Sequence, residues 1–195
     1  MMDAPALLTA DHNRVRGLFA RWQEAHEAED QEQMLTLAQE IFTELDVHTR
    51  IEEEIFYPRI KEANEEIAEL VDEGVEEHHV ARVLMEEMAE LEAGSDQWVA
   101  KMTVLIEAVE HHAEEEETEM FPPLRSTCGA EVLEPLAAEL EARKAELGAP
   151  TMEDKIDLTK SELSELAKEQ QIPGRSTMDQ EELAATVAPT TPGHT

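Results

Sequence analysis

Basic residues are scarce in this sequence. Fifteen Lys and Arg stand against 47 Asp and Glu in 195 residues, a formal net charge of −32. Nucleic-acid binding draws on Lys and Arg that neutralise phosphates, and an anionic membrane surface attracts the same residues. A chain this acidic repels both, so neither is an expected partner. Aromatics make up only 4% of the residues, which leaves a core to be built from Leu, Ile, Val, Ala and Met. Strand-like alternation is nearly absent, and the fold class read from this is all-α. Cys128 is the single cysteine, so no disulfide forms within the chain and a cytoplasmic location is expected. No apolar run approaches the roughly 18 residues of a membrane span. The opening MMDAPALLTADHNRVR lacks the basic-then-apolar pattern of a secretory leader.

What is present is helical periodicity. Leu7, Leu8, Val15, Leu18, Phe19 and Trp22 recur at threes and fours and predict a helix from Pro5 to about Glu27. A second is predicted over 31–57, with Asp30 as N-cap and Pro58 as its end or a kink. A third covers 64–93 and stops at Gly94-Ser95; a fourth runs from Asp96 to Met120, closed by Pro122-Pro123. A fifth, shorter helix covers 131–148. Residues 148–157 read as a linker, 158–187 as two short helices joined by IPGRS, and 188–195 as a disordered tail.

The chain also repeats itself. DHNRVRGLF (11–19) overlays EHHVARVLM (77–85), placing His12 over His78, and HTRIEEEIFYP (48–58) overlays HAEEEETEMFP (112–122). Each half is a helical hairpin with one His on its first helix and a His-x-x-x-Glu pair on its second. Residues four apart share a helix face, so His48 and Glu52 project together, as do His112 and Glu116. If the hairpins form an antiparallel four-helix bundle, four imidazoles and two carboxylates meet inside it. Such groups need a partner in an apolar core, and a metal pair is one. Imidazole suits iron, zinc, copper and nickel, and carboxylates bridge ions.

The repeat singles out His78 over His79 and His112 over His111; the neighbours point about 100° away. Only Glu52 and Glu116 combine the step of four from a His with the distance to the Pro, so the other acids of EEE (52–54) and EEEE (114–117) read as a solvated face. His26 reads as exposed, the Met residues as core filler, and Tyr57 and Trp22 as packing residues near the site.

Up to about residue 125 the chain resembles the hemerythrin-like, or HHE cation-binding, family. The resemblance rests on His12, then His48 and Glu52 before FYP, then His78, then His112 and Glu116 before MFP. It implies a four-helix bundle around a non-haem di-iron centre, two iron ions with an oxo or hydroxo bridge. Glu52 and Glu116 would bridge them, with His12, His48, His78 and His112 as terminal ligands. O2, peroxide or NO would be the small ligands, in redox handling, sensing or iron homeostasis. The chain departs from the oxygen carriers of that family. They have a fifth His through a His-x-x-x-His pair, but here the neighbours of His78 at that spacing are Gly74 and Arg82. Glu116 also stands at four residues from the last His, where the carriers place an Asp at five. Stable O2 transport is thereby disfavoured.

The segment 158–187 is similar to the helical module at the N-terminus of the transcription terminator Rho, and loosely to the SAP fold. Leu163, Leu166 and Ala167 are expected to pack against Leu183 and Val187 across the Ile172-Pro173-Gly174 turn. Its acidity argues for a protein partner over a nucleic acid. The domain reading is therefore a bundle with a trailing helix (1–147), a linker (148–157), a helical hairpin (158–187) and a tail (188–195). The alternative function is an interaction or regulatory protein, its metal structural or sensory and its hairpin docking a protein or a nucleic acid.

Overall fold

The computed structural model describes residues 2–62, 65–149 and 158–187. The expected linker and tail fall almost wholly outside these residues. Among the described residues every regular element is a helix. Helix α1 (Ala4–Glu27) starts where the Asp3 carboxylate accepts the Ala6 N–H, with Pro5 in the first turn, where its missing N–H costs nothing. Asp30 caps α2 (Gln31–Ile51) in the same way, and Ser95 caps α5 (Asp96–Glu115). Between them lies α4 (Glu65–Ala89), which ends before Gly94, a residue at φ 78° that suits glycine. Short connections force α1 against α2 and α4 against α5, and α1 also meets α5. These are the long helices of the bundle.

Two predicted helix ends are different in the structure. Pro58, expected as an end or a kink of the second helix, does not end it, and Pro122-Pro123 does not close the fourth. After Ile51 the chain makes a π-turn over Glu52–Phe56 and continues as α3 (Tyr57–Ile60). After Glu115 it makes another over Glu116–Met120 and continues as α6 (Phe121–Thr127). The physical reason is the same in both places. The Tyr57 N–H bonds the Glu52 carbonyl and the Phe121 N–H bonds the Glu116 carbonyl, each five residues back. A proline just after such a turn sits in the first turn of a new α-segment, where its N–H is not needed.

The core is split in two. One apolar cluster gathers Leu7, Leu8, Phe56, Tyr57, Ile67 and Phe121 with Leu133, Leu136 and Leu140. The other holds Val15, Phe19, Trp22, Ile41, Trp98 and Met102. Between them lies a buried polar layer. Helix α7 (Ala130–Glu146) lies against α1 and α2 and buries Lys144 to 1% exposure beside Asp11.

The C-terminal hairpin is α8 (Lys160–Glu169) and α9 (Gln180–Thr186), each opened by a reciprocal capping box, Thr159 with Glu162 and Asp179 with Glu182. Its own core joins Leu163, Ala167, Ile172, Leu183 and Val187, with Leu166 packed alongside. The hairpin lies on α1. The buried Arg14 guanidinium donates to the Thr186 carbonyl at 2.8 Å and to the Ala185 carbonyl, at the negative end of α9. Gly17 admits the turn: a Cβ there would lie 2.5 Å from the Gln170 carbonyl oxygen.

Candidate metal centre

Each long helix brings one imidazole to the polar layer: His12 from α1, His48 from α2, His78 from α4 and His112 from α5, none more than 6% exposed. Glu52 and Glu116, the first residues of the two π-turns, lie fully buried beside them at 0% and 2%. The structure thus brings together all six side chains that the spacing singled out. His79 is exposed. His111 is 64% exposed and stands with Glu77 and Glu115 at the surface, outside the layer. His26 is exposed and stacks on Trp22.

Carboxylates surround the rings, and two of them, Glu53 and Glu117, belong to the acidic runs expected to face solvent. His12 Nδ1 lies 2.9 Å from Glu117, His78 Nδ1 3.0 Å from Glu53, and His112 Nδ1 2.7 Å from Glu77. His48 Nδ1 is 3.7 Å from Asp11, too long for a hydrogen bond but within that carboxylate's field. An ionised carboxylate only accepts, so Nδ1 carries the proton and the Nε2 lone pair turns inward. The orienting acids are themselves held, Glu117 by Arg16 at 2.8 Å, Glu53 by Arg82 at 2.7 Å and Asp11 by Lys144. These contacts obey the repeat: Glu117 with His12 mirrors Glu53 with His78, and Asp11 with His48 mirrors Glu77 with His112. The signal that could have found them was the repeat itself, which pairs 53 with 117, 11 with 77 and 16 with 82. Tyr57 also does more than pack: its buried hydroxyl donates to Glu116 Oε1 at 2.9 Å.

Inside the layer, Nε2 faces Nε2. His12 and His48 are 3.1 Å apart through these atoms, and so are His78 and His112. Burial, reinforced by the competing imidazoles of His112 and His48 close by, pushes the His78 pKa down to about 2. Burial likewise lowers His48, which leaves both as neutral imidazoles able to give a lone pair. Burial opposes a charge on His12 too, but the nearby Glu116 carboxylate and the hydrogen-bonded Glu117 outweigh that and raise its pKa. The two glutamates are driven apart. Burial and the Glu116 charge raise Glu52 well above the usual carboxyl range, whereas His112 and His12 hold Glu116 below it despite burial.

Glu52 Oε2 lies 3.3 Å from His48 Nε2 and 3.2 Å from His78 Nε2 but is aimed as a hydrogen bond at neither. Among the described residues, both Glu52 oxygens, Glu116 Oε2 and His48 Nδ1 are buried without a hydrogen-bond partner. Inward imidazole nitrogens and orphaned carboxylate oxygens make a donor set whose chemistry suits cations. The donor atoms fall into two overlapping groups, each within 4.8 Å: His12, His48, Glu52 and Glu116, and Glu52, His78 and His112.

Beside the imidazoles, toward the Trp22 and Trp98 end, lies a cavity of about 30 Å³ walled by Val15, Phe19, Leu45, Ala81 and Val109. A single water needs about 10–15 Å³ on this measure, so the space suits a ligand of two or three atoms. Its surface is almost wholly apolar. Among the described residues no helix is long and apolar enough to cross a membrane.

A family model described as the hemerythrin HHE cation binding domain matches residues 3–124. The chain is similar to a protein of Nostoc sp. (strain PCC 7120 / SAG 25.82 / UTEX 2576) named DNA nickase, 26% identical over 148 residues. That alignment covers 75% of this chain and 40% of the relative, so the chain spans about two fifths of that protein's length. No solved structure gives a significant match.

Proposed function

This chain belongs to the hemerythrin HHE cation-binding family, and from that premise we propose that it holds a non-haem di-iron centre that reacts with O2, peroxide or NO. The observation that carries the reading is the buried layer of inward Nε2 lone pairs and unpartnered glutamate oxygens. His12, His48, Glu52 and Glu116 would hold one ion, and His78, His112 and Glu52 the other. Iron, when bound, supplies a redox couple and open coordination for a small ligand.

The chain's own residues do the rest. Glu117, Glu53 and Glu77 hold the His12, His78 and His112 rings with Nε2 inward, and the Asp11 carboxylate stands 3.7 Å from His48 Nδ1. The Tyr57 hydroxyl keeps its proton, since burial and the nearby Glu116 and Glu52 raise its pKa well above 10.0, and it donates a hydrogen bond to Glu116. Val15, Phe19, Leu45, Ala81 and Val109 exclude bulk water and admit a neutral ligand of diatomic size. An apolar wall favours O2 and NO over charged species.

The test is metal content and spectrum. Protein purified aerobically without chelator should contain two iron ions per chain and absorb in the near ultraviolet, and both should vanish in the His48→Ala/Glu52→Ala variant. Metal unaffected by those changes would refute the assignment. Turnover of peroxide or NO by the loaded protein then separates an enzyme from a sensor.

The relative named DNA nickase supports a second reading, action on DNA. The net charge of −32 opposes it. Incubation with supercoiled plasmid at low salt decides: nicking by the loaded protein, lost with His48→Ala, would favour that reading. A third, in which the 158–187 hairpin docks a protein partner, predicts binding lost on its deletion with the metal retained.

A further inference from the structure

We propose that the two cation positions are unequal by construction, the His12–His48 position being the tighter, and that Tyr57 is the positioning residue responsible. The inference rests on the metal-centre reading above. The two halves of the layer match so closely that their departures are informative. Tyr57 corresponds to Phe121 in the repeat, and Gly74 corresponds to Leu8. These departures belong together. A Cβ at Gly74 would lie 2.8 Å from the Tyr57 hydroxyl, so glycine leaves the room that the hydroxyl fills. At the mirrored place Leu8 is fully buried, in the same apolar cluster as Phe121. The Phe121 ring lies parallel to His12 within 5° just as Tyr57 lies parallel to His78 within 20°. The geometry of the ring is preserved; one hydroxyl is added, and space is cleared for it.

The hydroxyl acts on one carboxylate. Glu52 has no such donor, and its Oε2 sits evenly between the halves, 3.3 Å from His48 and 3.2 Å from His78. Glu116 has Oε1 engaged by Tyr57, and its Oε2 leans toward His12 at 3.4 Å, away from His112 at 3.9 Å. The donor groups follow: two imidazoles and two carboxylates converge around His12 and His48, and two imidazoles with one carboxylate around His78 and His112. Affinity for a divalent cation rises with the number of charged ligands, so the first position fills first.

Titration of the metal-free full-length protein with Mn²⁺, followed by calorimetry and by electron paramagnetic resonance, tests this. The wild type should bind in two steps separated by about tenfold or more. The first step should give the six-line signal of an isolated Mn²⁺, and a spin-coupled pair should form only in the second. Tyr57→Phe, which is isosteric and frees Glu116 Oε1, should draw the steps together. Gly74→Ala, which displaces the hydroxyl sterically, should do the same by another route. His12→Ala should abolish the tight step and His78→Ala the weak one. Two equal steps in the wild type, or a gap unchanged in Tyr57→Phe, would overturn the inference while leaving the metal centre intact. No Mn²⁺ binding at all would bring down the metal-centre reading and this inference with it.

Discussion

Glu52→Leu should stabilise the metal-free protein and destabilise the loaded one. Glu52 is 0% exposed, and neither oxygen has a hydrogen-bond partner. A buried polar group left unsatisfied costs about 1–3 kcal/mol. Replacing the carboxyl by an apolar side chain of similar bulk removes that cost, so a gain of about 3 kcal/mol is expected with chelator present. For a chain of this size that is a rise of roughly 6–12 °C in melting temperature. The pH dependence should change as well. Burial and Glu116 raise the folded pKa of Glu52 above its unfolded value. Its contribution is therefore fully present below the ordinary carboxyl range and is lost as pH rises through the folded pKa. Metal-free wild type should lose stability from this group on the alkaline side, and Glu52→Leu should flatten that slope. With Mn²⁺ or Zn²⁺ added, the order reverses, because the wild type gains binding energy that the variant has lost. Thermal melts by circular dichroism, with chelator and then with metal across pH 5–9, provide the readings. If Glu52→Leu destabilises the chelated protein as much as the loaded one, the orphaned carboxyl does not carry the cost assigned to it.

Arg14→Met keeps an apolar stem but removes the donors to the Thr186 and Ala185 carbonyls; amide exchange in α9 should quicken by about a hundredfold, for a loss of roughly 3 kcal/mol, with α2 and α5 unchanged. Asp11→Asn strands the buried Lys144 and should cost about 3–5 kcal/mol. Most of that should return in Asp11→Asn/Lys144→Met, as urea unfolding of the single and double variants can show. Ala81→Val adds two methyl groups to the wall of the 30 Å³ cavity; it should slow NO binding in stopped flow while leaving the metal count unchanged.

The helical fold and the gathering of six polar side chains were legible because both depend on spacing along a helix, and spacing is what a sequence records. The orienting acids were not. Glu53 and Glu117 stand in acidic runs that ordinarily face solvent, and only the three-dimensional approach of His78 and His12 distinguishes them. Pro58 read as a stop or a kink, and Pro122 as a stop, because proline breaks a continuous α-ladder; a π-turn before each lets the helix pass. The seat of the hairpin on α1 was hidden for another reason. It depends on Arg14 and Gly17, neither conspicuous alone, although both break the repeat, where Val80 and Val83 stand instead. Both departures mark the face of α1 that the hairpin covers.

The Tyr57–Gly74 and Phe121–Leu8 exchanges bear on how a duplicated architecture keeps its halves distinct. Were the first hairpin to close on a copy of itself, Tyr57 would meet Leu8, and its hydroxyl would have no room. Were the second to do so, Phe121 would face Gly74 and leave a hole where the hydroxyl now lies 2.8 Å from a would-be Cβ. Overfilling and voids both destabilise a core. Each hairpin is therefore shaped for its sibling and penalised for choosing a twin, and the single hydroxyl that biases the site also acts as a lock against swapped assembly.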